Sequence, residues 1–258
     1  MIRHGPSLRE HNNYIRYIDR TGCGRVYPLS VAEAFQQGDI VADGNSVLFW
    51  HYCGFAFVYG EHDEEFLNKI YEKFICGNDI SPRRFILFIS DEKTRRFFSK
   101  KENAVLERRY FFEYRRDTAT DDRILPASLR LCEISGDLFD KINGNVTPRF
   151  LWSDLSDFLK KGAGYCITDG ETAAAWAFTA AVSSEEIDIG IETRAEYRHS
   201  GFGAIVAEKM IQYCLSRHKR PVWACHSDNI ASQKLAEKTG FVKTAECFTV
   251  KRRSSDLQ

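Results

Sequence analysis

Short apolar runs set off by polar turns mark the first half of this 258-residue chain. "SVLFWHYCGFAFVYG" (46–60) predicts a pair of strands, "FILFI" (85–89) another, and "RYFFEYR" (109–115) an aromatic one. Between them Phe66, Ile70 and Phe74 repeat at helical spacing, which predicts a helix over 63–76. Asp63, Glu64 and Glu65 suit its positively polarised first turn. These elements make a small α/β unit. The basic stretch "KTRRFFSKK" (93–101) has acidic neighbours and reads as a solvated helix face rather than a phosphate or nucleic-acid contact. "RRDTATDDRILP" (115–126) is polar, charged and closed by Pro126, the composition of a linker. The expected domains are therefore 1–122 and 123–258.

Beyond the linker the pattern becomes several strands in succession and then an alternation. Strands are expected at "LRLCEI" (129–134), "GYCITD" (164–169), "TAAAWAFTAAV" (172–182) and "EIDIGIET" (186–193), with a helix at 153–161. A helix ending near Arg217, the strand "PVWACH" (221–226), a helix from Asp228 or Asn229 to Thr239, and a last strand "ECFTV" (246–250) complete the order. Asp228 or Asn229 can cap that last helix, and Gly240 stands where a left-handed C-terminal cap is wanted.

Charge removes some partners. With 36 basic and 36 acidic residues the formal charge is zero, so nucleic acid and an anionic membrane surface are not expected partners. The start, "MIRHGPSLREHNNY", lacks the apolar core of a signal peptide and no apolar run is long enough to cross a bilayer, which predicts a cytoplasmic protein. Eight cysteines are scattered without a Cys-x-x-Cys pair and mostly inside apolar stretches, as buried free thiols are. Seven histidines show no ligand spacing, and no metal is expected.

The informative stretch is "EYRHSGFGAIVAEKM" (196–210), where Arg198 precedes Gly201 by three residues and Gly203 runs straight into helix-forming residues. Glycines let backbone approach a ligand, and amides opening a helix point outward with the positive dipole end behind them, which outlines an anion site. "GFGAIV" is a near miss for the dinucleotide fingerprint, but Val206 replaces its third glycine. Seven residues, Arg194 to Ser200, also separate the strand from the first glycine. A Walker lysine and hydroxyl are missing as well.

"ETRAEYRHSGFGAIVAEKMI" resembles the acyl-CoA loop of the GNAT superfamily of N-acetyltransferases: Arg or Gln, two residues, Gly, one residue, then Gly or Ala. Arg198, Gly201 and Gly203 fill that pattern. "NIASQKLAEKTGF" (229–241) is similar to the superfamily's Asn-x-x-Ser-x-x-Leu-x-x-Lys-x-Gly-Phe signature. The wider run "FLWSDLSDFLKKGAGYC…IDIGIETRAEYR…PVWACHSDN…LAEKTGF" most resembles the subgroup that includes zwittermicin A resistance acetyltransferases. The superfamily resemblance covers about 127–250. It implies a C-terminal GNAT fold built on a mixed, splayed central sheet; with the smaller α/β N-terminal domain read from the pattern of the first half, the expected chain is α/β (α+β), and only the subgroup resemblance reaches into that first half. The superfamily resemblance also implies acetyl-CoA as cosubstrate. The pyrophosphate would meet the N–H groups of His199, Ser200, Gly201, Phe202, Gly203 and Ala204, with Arg198 shaping the loop or reaching a phosphate. The pantetheine arm would lie between two splayed strands and bond backbone groups matched here by Ile191 and Thr193. Asn229 and Ser232 would add side-chain hydrogen bonds, helix capping being the alternative role for Asn229.

Acetyl transfer to an amine needs the amine neutral, and an amine with pKa of about 10.4 is almost wholly protonated at neutral pH, so a base should contribute. Glu192, at the end of its strand, is the first choice. Asp188 shares its parity, and His226, which closes the next strand, could assist; ordinary polar strand ends are the competing reading. A backbone N–H near Glu192 or Thr193 would polarise the carbonyl. Many members follow the leucine of the second motif with a tyrosine that protonates the thiolate. Here Leu235 is followed by Ala236, which leaves His226, water or unaided departure. The expected activity is acetyl transfer to a primary amine of a small molecule, with the first domain forming part of the acceptor pocket or an oligomer interface and homo-oligomerisation left open. A protein or peptide acceptor and a non-catalytic acyl-CoA sensor are the rivals.

Overall fold

The structure is a computed structural model that describes residues 12–77, 83–116 and 125–253. Most of the expected linker, 117–124, lies outside the described residues. The chain forms two compact units: residues up to Tyr110 together with those from Ala245 onward, and Phe111–Thr244.

The first unit begins with a 3₁₀ turn (Asn12–Tyr17) and helix α1 (Val26–Ala32), followed by β1 (Gly38–Asp43), β2 (Ser46–His51) and β3 (Phe55–Gly60). Then come α2 (Glu64–Ile70), β4 (Ile86–Ile89), α3 (Glu92–Ser99) and β5 (Ala104–Tyr114), whose residues from Phe111 on belong to the second unit. The expected strand pair is β2 and β3, antiparallel with Leu48 opposite Val58. β1 is antiparallel to β2, and β4 runs parallel to β3. All six residues of β2 are buried. Leu48 and Trp50 join the core with Phe66, Leu67 and Ile70 of α2, while α1, itself wholly buried, lies against the same strand. A strand covered on both faces reads as a continuous apolar run, which is why the pattern at 46–51 does not alternate. Asp63 caps α2 by accepting from the Phe66 N–H at 2.8 Å. The helix then passes into a π turn (Tyr71–Ile75). On α3 the Glu92 carboxylate accepts from Arg95 at 2.6 Å and Arg96 at 3.0 Å, and Phe98 is fully buried. The basic stretch is therefore a solvated helix face.

The second unit continues with β6 (Leu129–Glu133), the short helices α4 (Gly136–Lys141) and α5 (Pro148–Leu151), α6 (Leu155–Lys161), β7 (Gly164–Asp169), β8 (Thr172–Val182) and β9 (Glu186–Thr193). After them come α7 (Phe202–Ser216), β10 (Arg220–His226) and α8 (Ile230–Lys238). β6 to β9 form an antiparallel meander, with Cys132 opposite Cys166, Cys166 opposite Trp176, and Trp176 opposite Glu192. β8 is buried from Ala173 to Val182, and its alanines let α7 pack closely on it. β11 (Phe241–Arg252) starts in the second unit and ends in the first, where Phe248–Lys251 pair antiparallel with β4. It extends past both ends of the expected 246–250. The 3₁₀ turn, α1, β1, α4 and α5 are elements that the hydrophobic pattern did not announce.

Candidate functional site

The site grows from a change of partner along β9. On one side β9 pairs with β8 from Val182–Ile187 to Ala175–Thr193. On the other it pairs in parallel with β10 at three positions only: Glu186 with Arg220, Ile187 with Pro221, and Asp188 with Val222. Both strands run on, β9 to Thr193 and β10 to His226, and among the described residues they pair with each other no further. The strands open after Asp188.

The polarity of the open edge follows from two bonds. Arg194 N–H donates to the Ala174 carbonyl at 3.0 Å, and Thr179 N–H donates away from β9, to Ala163 at 2.9 Å. In an antiparallel ladder the backbone groups of alternate residues turn to alternate edges. Gly190 and Glu192 therefore face β8, while Ile189, Ile191 and Thr193 turn their backbone groups toward the opening. Ile191 and Thr193, the residues expected to bond the pantetheine arm, are among those that turn toward the opening. Of the two backbone N–H groups considered for carbonyl polarisation, the one at Thr193 faces the opening and the one at Glu192 does not.

At the mouth the chain makes a 3₁₀ turn (Ala195–Tyr197) and enters α7 through Gly201, which has φ +82° and ψ −3°. His199 is also left-handed, with φ +65°. Left-handed residues next to a helix start make a concave nest of amides. Phe202 and Ala204 bury their side chains in the core, which keeps their N–H groups at the helix opening, and Ala204 bonds back to the Gly201 carbonyl at 3.0 Å. At Gly203 a Cβ would stand 3.1 Å from Thr193 Oγ1 and 3.3 Å from Leu235 Cδ2, so this turn, the end of β9 and α8 are close enough that glycine relieves crowding. Arg198 is exposed at its side chain, and its Nε donates to the Thr193 carbonyl at 3.4 Å, a bond that ties the turn to the strand end. Ser200 is exposed on the same turn.

Across the opening, Asn229 Oδ1 accepts from the Ser232 N–H at 3.1 Å and caps α8. Ser232 Oγ accepts from the buried Trp223 indole at 3.0 Å. Each holds the helix start in place by these bonds. Position 236 is an alanine, fully buried, and offers no hydroxyl.

The three candidate catalytic groups occupy different depths. Asp188 sits at the closed end, 6 % exposed, and its charge adds to the burial that pushes the Cys214 thiol up. Glu192 lies four residues farther out, about 13 Å along a strand that rises about 3.3 Å per residue. Continuing the parallel register, His226 is the β10 residue level with Glu192. The Asp228 N–H donates to His226 Nδ1 at 3.3 Å, and the Asp228 carboxylate stands 3.7 Å from the same nitrogen.

Glu192 has a partner that sequence reasoning missed. Its Oε2 accepts from the Val146 N–H at 2.8 Å, while the indole of Trp176, its cross-strand neighbour, donates to the Val146 carbonyl at 2.8 Å. Two adjacent side chains thus grip the N–H and C=O of one residue in the connection between α4 and α5. Gly144 lies under the same pair: a Cβ there would meet Glu192 Oε2 at 2.4 Å and the Trp176 ring at 2.8 Å. "INGN" (142–145) is a recognisable turn signal, but only the Trp176–Glu192 register reveals what it lies on. Among the described residues no three His, Cys, Asp or Glu side chains converge as a metal site requires, and no helix is long and apolar enough to cross a membrane.

A sheet that opens between parallel strands, with a left-handed glycine turn and a helix N-terminus at its mouth, is the arrangement that the resemblance to acyl-CoA-dependent transferases implies. The GNAT acetyltransferase model matches residues 29–249, and the chain belongs to that family, whose cosubstrate is acetyl-CoA. It is an N-acetyltransferase by family. The uncharacterized N-acetyltransferase YdfB of Bacillus subtilis is 26 % identical over 205 residues, 76 % of this chain and 77 % of that protein. A second Bacillus subtilis protein, the uncharacterized N-acetyltransferase YjdG, is 40 % identical over 65 residues, 23 % of this chain and 39 % of that one. Among solved structures, a GCN5-related N-acetyltransferase-like protein from Streptococcus suis superposes with a TM-score of 0.74 at 21 % identity, covering 96 % of this chain and all of that one. A GCN5-related N-acetyltransferase from Kribbella flavida gives a TM-score of 0.61 at 13 % identity over 99 % and 98 % of the two chains. These likenesses establish the shared fold.

Proposed function

We propose that this protein transfers the acetyl group of acetyl-CoA directly to a primary amine of a small molecule. The observation that carries the reading is the open edge of β9, whose outward-turned Ile191 and Thr193 end at the turn containing Arg198, Gly201 and Gly203. An extended pantetheine arm fits such an edge as an added strand, and a pyrophosphate fits the amides of residues 199–203, the Ala204 N–H being bonded to the Gly201 carbonyl. When bound, acetyl-CoA supplies an activated acyl carbon. Glu192 uses Oε2 to hold the Val146 N–H, and its other oxygen takes the proton that the amine must lose. His226, level with Glu192 on β10, is the side chain assigned to hydrogen-bond the leaving sulfur. In this reading the connection held on Glu192 and Trp176 walls the acceptor side, a shape that suits a small amine better than a protein tail. The resemblance to the zwittermicin A resistance subgroup points the same way, toward an aminated metabolite or antibiotic in the cytoplasm.

Two variants separate the roles of Glu192. Glu192→Gln keeps an oxygen for Val146 but loses basicity, so kcat at saturating amine should fall roughly 10²- to 10⁴-fold with little change in the KM for acetyl-CoA. The deficit should shrink as pH rises, because more of the amine is then neutral without help. Glu192→Ala should lose the loop bond as well and raise the amine KM. A Gln variant with wild-type kcat at pH 7, beside an impaired Ala variant, would make Glu192 a positioning residue only and move the search for the base to Asp188→Asn and His226→Gln. No turnover on any small amine in a broad panel, with acetyl-CoA bound, would favour a protein acceptor or a sensor.

A further inference from the structure

A second chemically distinctive place lies in the first unit. Cys23, in the connection before α1, and Cys247, on β11, both line a cavity of about 670 Å³ floored by Phe57, Tyr59, Phe88 and Phe248. Both are free thiols and both are partly exposed. Their side chains hydrogen-bond each other. That bond, helped by the charge of Arg25 and opposed by burial and Asp19, holds the Cys23 thiol below its ordinary range; the same bond together with burial pushes Cys247 up. One sulfur of the pair is thus the more readily ionised, and the other keeps its proton beside it.

The chain contains a useful contrast. Cys132 and Cys166 stand opposite each other on β6 and β7, so they too are neighbours. There burial pushes both thiols up, Cys166 to about 12, and Cys166 is fully buried. Proximity is common to both pairs; ionisation and access belong to one.

We propose that Cys23 and Cys247 form a reversible oxidation site, which a peroxide converts to a disulfide. The Cys23 thiolate attacks one peroxide oxygen, the O–O bond breaks, and Cys23 becomes a sulfenic acid while the other oxygen leaves as hydroxide and is protonated to water. Cys247 sulfur then bonds Cys23 sulfur, the S–O bond breaks, and the departing hydroxyl takes the Cys247 proton to form a second water. In sum two thiols and one hydrogen peroxide give one disulfide and two waters. The product ties the segment before α1 to the last strand, both within the first unit. This site is independent of the acetyl-CoA site.

The test uses the full chain and hydrogen peroxide in small excess, followed by alkylation of remaining thiols and tryptic mass spectrometry. Cleavage after Arg20, Arg25, Lys243 and Lys251 places the two cysteines on separate peptides, TGCGR and TAECFTVK. The expected product is these two peptides joined, with the alkylatable thiols falling from eight to six and returning on treatment with a reductant. Cys23→Ser should abolish the product, and Cys247→Ser should leave a sulfenic acid on Cys23 that dimedone traps. Oxidation should raise the melting temperature of the wild type, and not of Cys23→Ser, because the bond closes a long loop in the unfolded chain. Eight thiols surviving a peroxide dose that oxidises a free cysteine peptide would overturn the proposal. So would a Cys132–Cys166 link formed at least as fast, or a Cys247→Ser variant in which Cys23 stays unmodified.

Discussion

The two edges of β9 carry the same residues and do opposite work. Toward β8 the strand is bonded almost along its whole length, and the Gly190 and Glu192 backbone is spent on the ladder. Toward β10 bonding stops at Asp188, leaving Ile191 and Thr193 turned into an opening. Unsatisfied backbone groups beside an apolar strand are costly unless water or a ligand meets them. A protein that leaves part of a central strand unpaired therefore has a built-in place for an extended molecule. The bonded edge supplies rigidity, and in the proposed function the open edge is the one that binds.

Substitutions on the two sides should fail in different ways. The largest effect on binding is expected from Gly201→Val at the mouth of the open edge. A β-branched residue at φ +82° is strained by roughly 1–3 kcal/mol, and the extra bulk crowds the amides. Calorimetry should show acetyl-CoA affinity reduced about 10- to 100-fold in a protein that remains folded; undiminished binding would break the comparison. On the bonded side, Gly190→Ala puts a Cβ 2.8 Å from the Phe178 ring and 3.2 Å from Ala180. It should cost about 1–2 kcal/mol of stability by denaturant titration while changing acetyl-CoA affinity less than twofold in the folded protein.

Two smaller effects sharpen the picture. Trp176→Phe removes the indole N–H from the Val146 carbonyl and should cost roughly 1 kcal/mol at that loop. The amine KM should rise about fivefold with the acetyl-CoA KM unchanged; equal rises in both would mean that the loop does not belong to the acceptor side. Asn229→Ala removes the cap on α8, for about 0.5–1 kcal/mol of stability. A fall in acetyl-CoA affinity beyond what that cap accounts for would assign Asn229 a direct bond to the cosubstrate.

What the sequence made legible was local. The turn at 198–203 could be read because a left-handed residue and a tight approach both demand glycine, and the cap at Asn229 because only a few side chains do that job. The strands with continuous apolar runs were visible because burial on both faces leaves no polar alternation. α1 went unseen because "VYPLSVA" is buried on every side and so has no stripe to detect. The grip of Glu192 and Trp176 on Val146 depends on register between strands and on a loop some 46 residues away in sequence, which no periodicity encodes. The return of β11 to the first unit is long-range for the same reason. Glu192 was thus identifiable as a strand-end acid, while its hold on the loop was not.

The central claim is that the open edge of β9 receives the pantetheine arm, and amide hydrogen exchange followed by NMR tests it directly. In the free protein the Gly190 and Glu192 amides should exchange slowly and those of Ile191 and Thr193 faster. Saturating acetyl-CoA should slow Ile191, Thr193 or both by at least about tenfold and leave Gly190 and Glu192 nearly unchanged. Tight binding of acetyl-CoA with no new protection at Ile191 or Thr193 would contradict the account.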